Sequence, residues 1–158
     1  MYIQGLEEYD GLGMAGVTHM HSELEAELFE QLNKRFCGTK FFARTNVKFH
    51  DAGDNGRIPD VAVFSKKTKN KKDGVKYQNP VLTIEITHNK RNDEDSAQSI
   101  MEVFEAYPSM TESYIFNYHS KKWIRFERLD DGRIDQKETS KSKLFGFFMN
   151  TLVKEVID

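Results

Sequence analysis

Val81-Leu82-Thr83-Ile84-Glu85-Ile86-Thr87 is the run that decides how this chain folds and where its chemistry lies. Six of its residues are aliphatic or β-branched and one is an acid. In an extended strand side chains alternate between faces, so Leu82, Ile84 and Ile86 share one side while Val81, Thr83, Glu85 and Thr87 share the other. A carboxylate in the middle of so apolar a strand has to be solvated, hydrogen-bonded or bound to a cation. Two readings stand at this point: the second face is the wet side of a sheet, where the threonines are also at home, or Glu85 has a partner.

One strand earlier a second acid sits in a similar setting. Ile58-Pro59-Asp60-Val61-Ala62-Val63-Phe64 reads as a short β-branched strand with proline at its start, where a missing N–H costs the ladder nothing. Two carboxylates on adjacent strands can share one hard divalent cation, their oxygens and several waters completing an octahedron. Such a cation polarises a phosphodiester and lowers the pKa of an attacking water. Asp60 and Glu85 are therefore the candidate ligands, and Mg2+ or Mn2+ the candidate ion. Between the two runs, residues 65–77 carry Lys66, Lys67, Lys69, Lys71, Lys72 and Lys76 against Asp73 alone, a local charge of +5. This stretch reads as a long solvated hairpin loop, with contact to nucleic-acid phosphates as the alternative.

Outward from these strands the pattern alternates. Residues 21–36 read as a helix, with Leu24, Leu28, Leu32 and Phe36 at steps of four and Thr18 or Ser22 as its cap. Residues 41–49 alternate as a half-buried strand, and the Gly, Asp and Asn of 51–56 mark a turn. Beyond Asn89 a polar turn at 90–95 leads into a helix at 96–107, stopped by Pro108. Strands at 113–118, 123–129 and 133–138 form a meander. The apolar stretch 144–153 reads equally as strand or helix. The order of helix, three strands, helix, three strands predicts an α/β (α+β) protein with a central mixed sheet and helices packed on it.

Composition sets bounds. At 158 residues the chain suits one domain spanning 1–158, and 12 Phe supply core material that disordered chains lack. A net charge of −2 excludes coating nucleic acid by bulk electrostatics, although residues 1–30 hold seven acids and no Lys or Arg, so charge is segregated along the chain. A single cysteine, Cys37, excludes an internal disulfide and a cysteine zinc cage, and is expected to be a passive half-buried thiol. No apolar stretch approaches the ~20 residues of a membrane span and no leader is apparent, so no membrane partner is expected and the cytoplasm is the expected compartment.

Taken in order and spacing, these pieces resemble the PD-(D/E)xK nuclease superfamily, and within it the restriction-endonuclease-like Uma-two family. The likeness runs over about residues 21–148. His21 opening its helix is similar to the family's first block. Ile58-Pro59-Asp60-Val61-Ala62-Val63 is similar to its Pro-Asp-Val strand and Asn79-Pro80-Val81-Leu82-Thr83-Ile84-Glu85-Ile86 to its Pro-x-Leu-x-x-Glu-Val strand, with Asp95 at the spacing of a later Asp. Glu112-Ser113-Tyr114-Ile115-Phe116-Asn117 and Leu144-Phe145-Gly146-Phe147 match its last two blocks. The resemblance implies a restriction-endonuclease-like sheet flanked by helices and metal-dependent hydrolysis of DNA. It also implies metal ligands at Asp60, Glu85 and the main-chain carbonyl of Ile86.

It implies a lysine as well, and here the chain departs from the pattern. Thr87 stands two residues beyond Glu85, where the motif has Lys, and the helical stretch that carries a Lys in many members reads Ala97-Gln98-Ser99-Ile100. Lys90 is the nearest replacement, while Gln98 would orient a water without supplying charge. His88 takes the place of the family serine, as base, ligand or surface residue. Glu23 and Glu27 could add a carboxylate from the first helix or form a solvated face, and His19 and His21 are expected in capping or surface roles. Lys66, Lys67, Lys69, Lys71 and Lys72 are the candidate contacts to DNA. Two further readings stand beside the nuclease: a catalytically silent member that binds nucleic acid or a protein, and an interaction module that forms a homodimer through its strand edges.

Overall fold

The leucine stripe on the first helix is the seed of the core. In the computed structural model, which describes residues 11–47, 58–70 and 74–157, helix α1 spans Gly11–Phe36 and buries Leu24, Leu28 and Leu32 completely. It already runs through 11–20, ahead of the expected boundary at 21, because nothing there breaks a helix strongly enough to outweigh propagation from a nucleus already formed. It ends where Gly38 takes φ +82° and Thr39 caps the Phe36 carbonyl. Cys37, just past that end, is exposed rather than half-buried, because the helix that carries the buried leucines stops one residue before it.

Strand β1 (Phe42–Thr45) is shorter than the alternation suggested, since Asn46 adopts φ +55° and turns the chain. The rest of the expected strand, from 48 on, and the turn at 51–56 lie outside the described residues. Asn33 of α1 donates to the Ala43 carbonyl at 3.1 Å and accepts from the Ala43 N–H at 2.8 Å, covering an edge that would otherwise present open backbone groups.

Strands β2 (Val61–Asn70) and β3 (Gly74–Thr87) correct the reading of the lysine stretch as a loop. They pair antiparallel from Val61↔Ile84 outward to Asn70↔Gly74, so Lys66, Lys67 and Lys69 lie in strand β2 and Lys76 in β3, while Lys71 and Lys72 lie outside the described residues. Lysine lowers strand propensity, but two extended strands already paired at their base carry the ladder on past it. The register shifts between Val63 and Phe64, opposite Pro80, where the missing N–H leaves one ladder bond unmade.

Helix α2 (Lys90–Ala106) also starts earlier than expected. The stretch 90–95 forms its opening turns, because the Asn89 side chain accepts the Asn92 N–H at 2.7 Å and caps the helix there. As a crossover α2 sets β4 (Glu112–Asn117) parallel to β3, and β5 (Lys122–Arg128) and β6 (Ile134–Glu138) follow antiparallel. Among the described residues six strands stand in chain order in one mixed sheet, as expected for this α+β class. The stretch 144–153 is neither strand nor regular helix. It makes an isolated bridge between Lys141 and Phe148, a 3-10 turn (Met149–Leu152), and then a short α3 (Lys154–Ile157).

Both faces of the sheet are covered. Leu82, Ile84, Ile86, Tyr114, Phe116 and Trp123 pack under α1 together with Met149, Leu152 and Val153. Ala62, Phe64, Ile115 and Phe126 pack under Ile100, Val103 and Phe104 of α2. The second face of the heptad is therefore not a wet side: Thr83 and Thr87 are buried there, Thr83 hydrogen-bonded to Ser113.

Candidate metal centre

At the end of β2 where the chain enters the sheet, the register sets the backbones of the two acids opposite each other, while the side chains that converge there are those of His21, Glu25 and Asp60, with Glu85 not among them. Val61 pairs with Ile84, so the antiparallel register carried one residue further sets Asp60 opposite Glu85. Beyond that last ladder pair the Ile86 N–H turns to a side chain instead of a strand, and it donates to Asp60 Oδ2 at 2.7 Å. The carboxylate is thus locked against the main chain of the residue next to Glu85. Glu85 itself is half-buried on β3, level with Ile115 of β4.

Helix α1 brings two more groups to the same place. His21 and Glu25 are four residues apart and share a face beside the buried Leu24 and Leu28. His21 Nε2 lies 3.1 Å from Asp60 Oδ1, and Glu25 Oε1 accepts from the Asn46 side chain at 3.3 Å. One ligand atom from each of His21, Glu25 and Asp60 falls within 4.8 Å of the other two. The hydrogen bond to Asp60 holds the His21 imidazole above its ordinary pKa of 6.5, against the opposing effect of burial, with the charges of Asp60 and Glu25 adding to the rise. Burial raises the Glu25 carboxyl above its usual range, and the Asn46 hydrogen bond works the other way.

This donor set fits a divalent cation. One imidazole nitrogen and two carboxylate oxygens converge from a helix and a strand mouth, all three residues are half-buried, and the site stays open enough for waters to complete the shell. His21, expected at the surface or as a cap, lies in the centre of it, because the helix starts earlier and His21 falls well inside on the sheet-facing side. The i, i+4 spacing of His21 and Glu25 was the available signal, masked by the more numerous acids around it. Glu23 is exposed and pairs with His19 at 3.2 Å, and Glu27 is half-buried one turn further along.

The position of the missing lysine is filled differently. Thr87 is buried and its hydroxyl donates to Asp93 of α2, while Asn117 of β4 donates to the other Asp93 oxygen at 3.1 Å. Three elements are tied by this one carboxylate. His88, the next residue, is half-buried, 3.3 Å from the Asn89 amide and stacked 6.0 Å from the Tyr118 ring. Burial lowers its pKa, as do the nearby His119 and His21. Lys90 is exposed at the first position of α2 and Gln98 is exposed two turns further on. Lys66 lies six residues along β2 from Asp60, about 20 Å at strand rise.

Two comparisons match this chain. A family model described as "Uma2: Putative restriction endonuclease" matches residues 10–144. A crystal structure titled "putative nuclease belonging to DUF820 from Anabaena variabilis ATCC 29413" superposes with TM-score 0.66 at 15% identity, covering 98% of this chain and 89% of that one, a likeness of fold. No curated protein sequence matches.

Proposed function

The chain belongs to the Uma2 family of restriction-endonuclease-like proteins, and on that premise we propose that it is a divalent-metal-dependent endonuclease that hydrolyses phosphodiester bonds in DNA. One observation carries the reading: Asp60 is fixed by the Ile86 N–H at 2.7 Å beside Glu85 and faces a helix-borne imidazole at 3.1 Å. An arrangement that concentrates acids around an open strand mouth is costly without a counter-charge. Asp60, Glu85 and the Ile86 carbonyl are the proposed metal ligands. A bound divalent cation there supplies Lewis-acid polarisation of the phosphate and a water of lowered pKa.

The chain's own residues do the rest. The Ile86 N–H orients Asp60 by holding one oxygen, which leaves the other facing His21. His88, whose pKa burial lowers, is the proposed proton acceptor. Lys90, at the end of β3 where α2 begins, is the proposed source of positive charge, with Gln98 orienting a water. Lys66, Lys67 and Lys69 on the β2–β3 ribbon are the proposed contacts to backbone phosphates, with Lys71 and Lys72 of the same lysine-rich sequence as further candidates.

Thr87 favours a second reading. It fills the lysine position with a buried, hydrogen-bonded hydroxyl, which supports a member that binds a cation and nucleic acid without turnover. Nicking of supercoiled plasmid with Mg2+, with Mn2+ and with chelator, using Asp60→Ala and Glu85→Ala beside the wild type, separates the two. Cleavage that needs cation and both carboxylates is the expected result. Cation binding without nicking moves the assignment to the silent member, and nicking indifferent to both substitutions removes the site.

A further inference from the structure

Helix α1 does more than cover the sheet. We infer that His21, with Glu25 one turn along, is a ligand arm of the cation site and makes it select a first-row transition ion, Mn2+ among them, over Mg2+. This rests on the metal-site reading above and goes beyond it to the identity of the ion.

Geometry supports the arm first. Two ligand atoms at right angles about a cation, each ~2.1 Å from it, are about 3.0 Å apart. His21 Nε2 and Asp60 Oδ1 are 3.1 Å apart, so the pair already stands at the bite of two neighbouring ligands. The whole trio fits within 4.8 Å, close to the span of one coordination shell. Both helix residues are held in place: Leu24 and Leu28, buried on either side of Glu25, fix the rotation of α1, and Asn46 holds Glu25. Asp60 cannot swing away either, since its second oxygen is taken by the Ile86 N–H.

Chemistry then sets the selectivity. Mg2+ holds its waters tightly and favours oxygen, whereas imidazole nitrogen binds transition ions more strongly along the series that begins at Mn2+. An all-carboxylate site discriminates between the two ions only weakly. Adding one imidazole at a fixed position raises affinity for the transition ion and does little for Mg2+. The signature of the arm is therefore a change in the ratio of the two affinities when His21 is removed.

The test is calorimetric titration of the full chain with Mn2+ and with Mg2+, in the wild type, His21→Gln and Glu85→Gln, with circular dichroism confirming the fold of each. His21→Gln is expected to weaken Mn2+ binding about tenfold or more and Mg2+ binding less than about threefold, while Glu85→Gln weakens both. Spin-echo spectra of the Mn2+-loaded wild type should show modulation from a directly bound nitrogen that disappears in His21→Gln. Equal weakening of both ions, no weakening of either, or nitrogen modulation that survives the substitution overturns the inference while the metal-site reading stands. Failure of the wild type to bind either ion overturns both. If His21→Gln does not fold, Glu25→Gln must lower Mn2+ affinity and the wild-type nitrogen signal must still be present.

Discussion

Glu112 is fully buried, and four donors compensate its carboxylate. Tyr114 Oη at 3.0 Å and Ser142 Oγ at 2.8 Å donate to one oxygen, and the N–H groups of Lys143 and Leu144 to the other at 2.7 and 2.9 Å. The Tyr114 hydroxyl is correspondingly driven far above its ordinary pKa by burial and by the adjacent carboxylate. Resemblance placed Glu112 in a family block, and its hydrogen bonds show that it fastens the segment after β6 to the sheet. Glu112→Ala strands four donors in the interior and is expected to cost at least about 3 kcal/mol in denaturant unfolding. A cost below about 1 kcal/mol would show that the segment is held in other ways. His21 gives a pH prediction with a definite sign. Its pKa is raised in the folded protein, mainly by the hydrogen bond to Asp60, so the stabilisation is complete below the unfolded value of 6.5 and is lost as pH rises through the folded value. In chelator, the unfolding free energy of the wild type minus that of Asp60→Asn should therefore shrink as the pH rises above about 6.5. A difference that is flat over that window means the pair is not coupled to folding.

Elements differ in how far local sequence determines them. The α1 stripe was legible from the leucine spacing because each Leu lies under the same face, and all three are fully buried. Helix α2 was legible in its body and not in its start, since the cap is a side chain reaching three residues forward and only the folded turn reveals it. The β2–β3 ribbon was misread as a loop because lysine is a poor strand former, while pairing is decided by the partner strand. That ribbon carries its own prediction. Changing Lys66, Lys67 and Lys69 to Gln should weaken binding to a DNA duplex and lower the slope of log affinity against log salt by up to about 0.9 for each phosphate no longer neutralised. Cation affinity should not move, because the ribbon lysines begin six residues along β2 from Asp60. An unchanged salt slope would take the ribbon out of the nucleic-acid surface.

Across the whole molecule, one sheet separates two apolar layers, with α1 and the C-terminal turn on one side and α2 on the other. The candidate metal centre lies where the first layer meets the mouth of β2, and it draws on residues 21, 25 and 60. A cation bound there joins α1 to the sheet and so stabilises the fold by mass action. At about a hundred times its dissociation constant the expected gain is about 2.7 kcal/mol, read as a rise in melting temperature that chelator and Asp60→Asn both abolish. A melting temperature indifferent to Mn2+ at all concentrations would mean that no ion links these elements. Among the described residues no helix is long and apolar enough to cross a membrane.

The sequence alone determined the class of fold, Asp60 and Glu85 as acids set in apolar β-branched runs, and the absence of the motif lysine at Thr87. These follow from spacing along one strand or one helix, where the backbone period sets which residues share a face. Tertiary structure alone decided that His21 and Glu25 join Asp60, that Asp93 ties Thr87 to Asn117, and that Glu112 is a buried fastening. Each of these contacts joins residues on different elements, and their meeting depends on how helices and loops lie on the sheet, which no local pattern encodes.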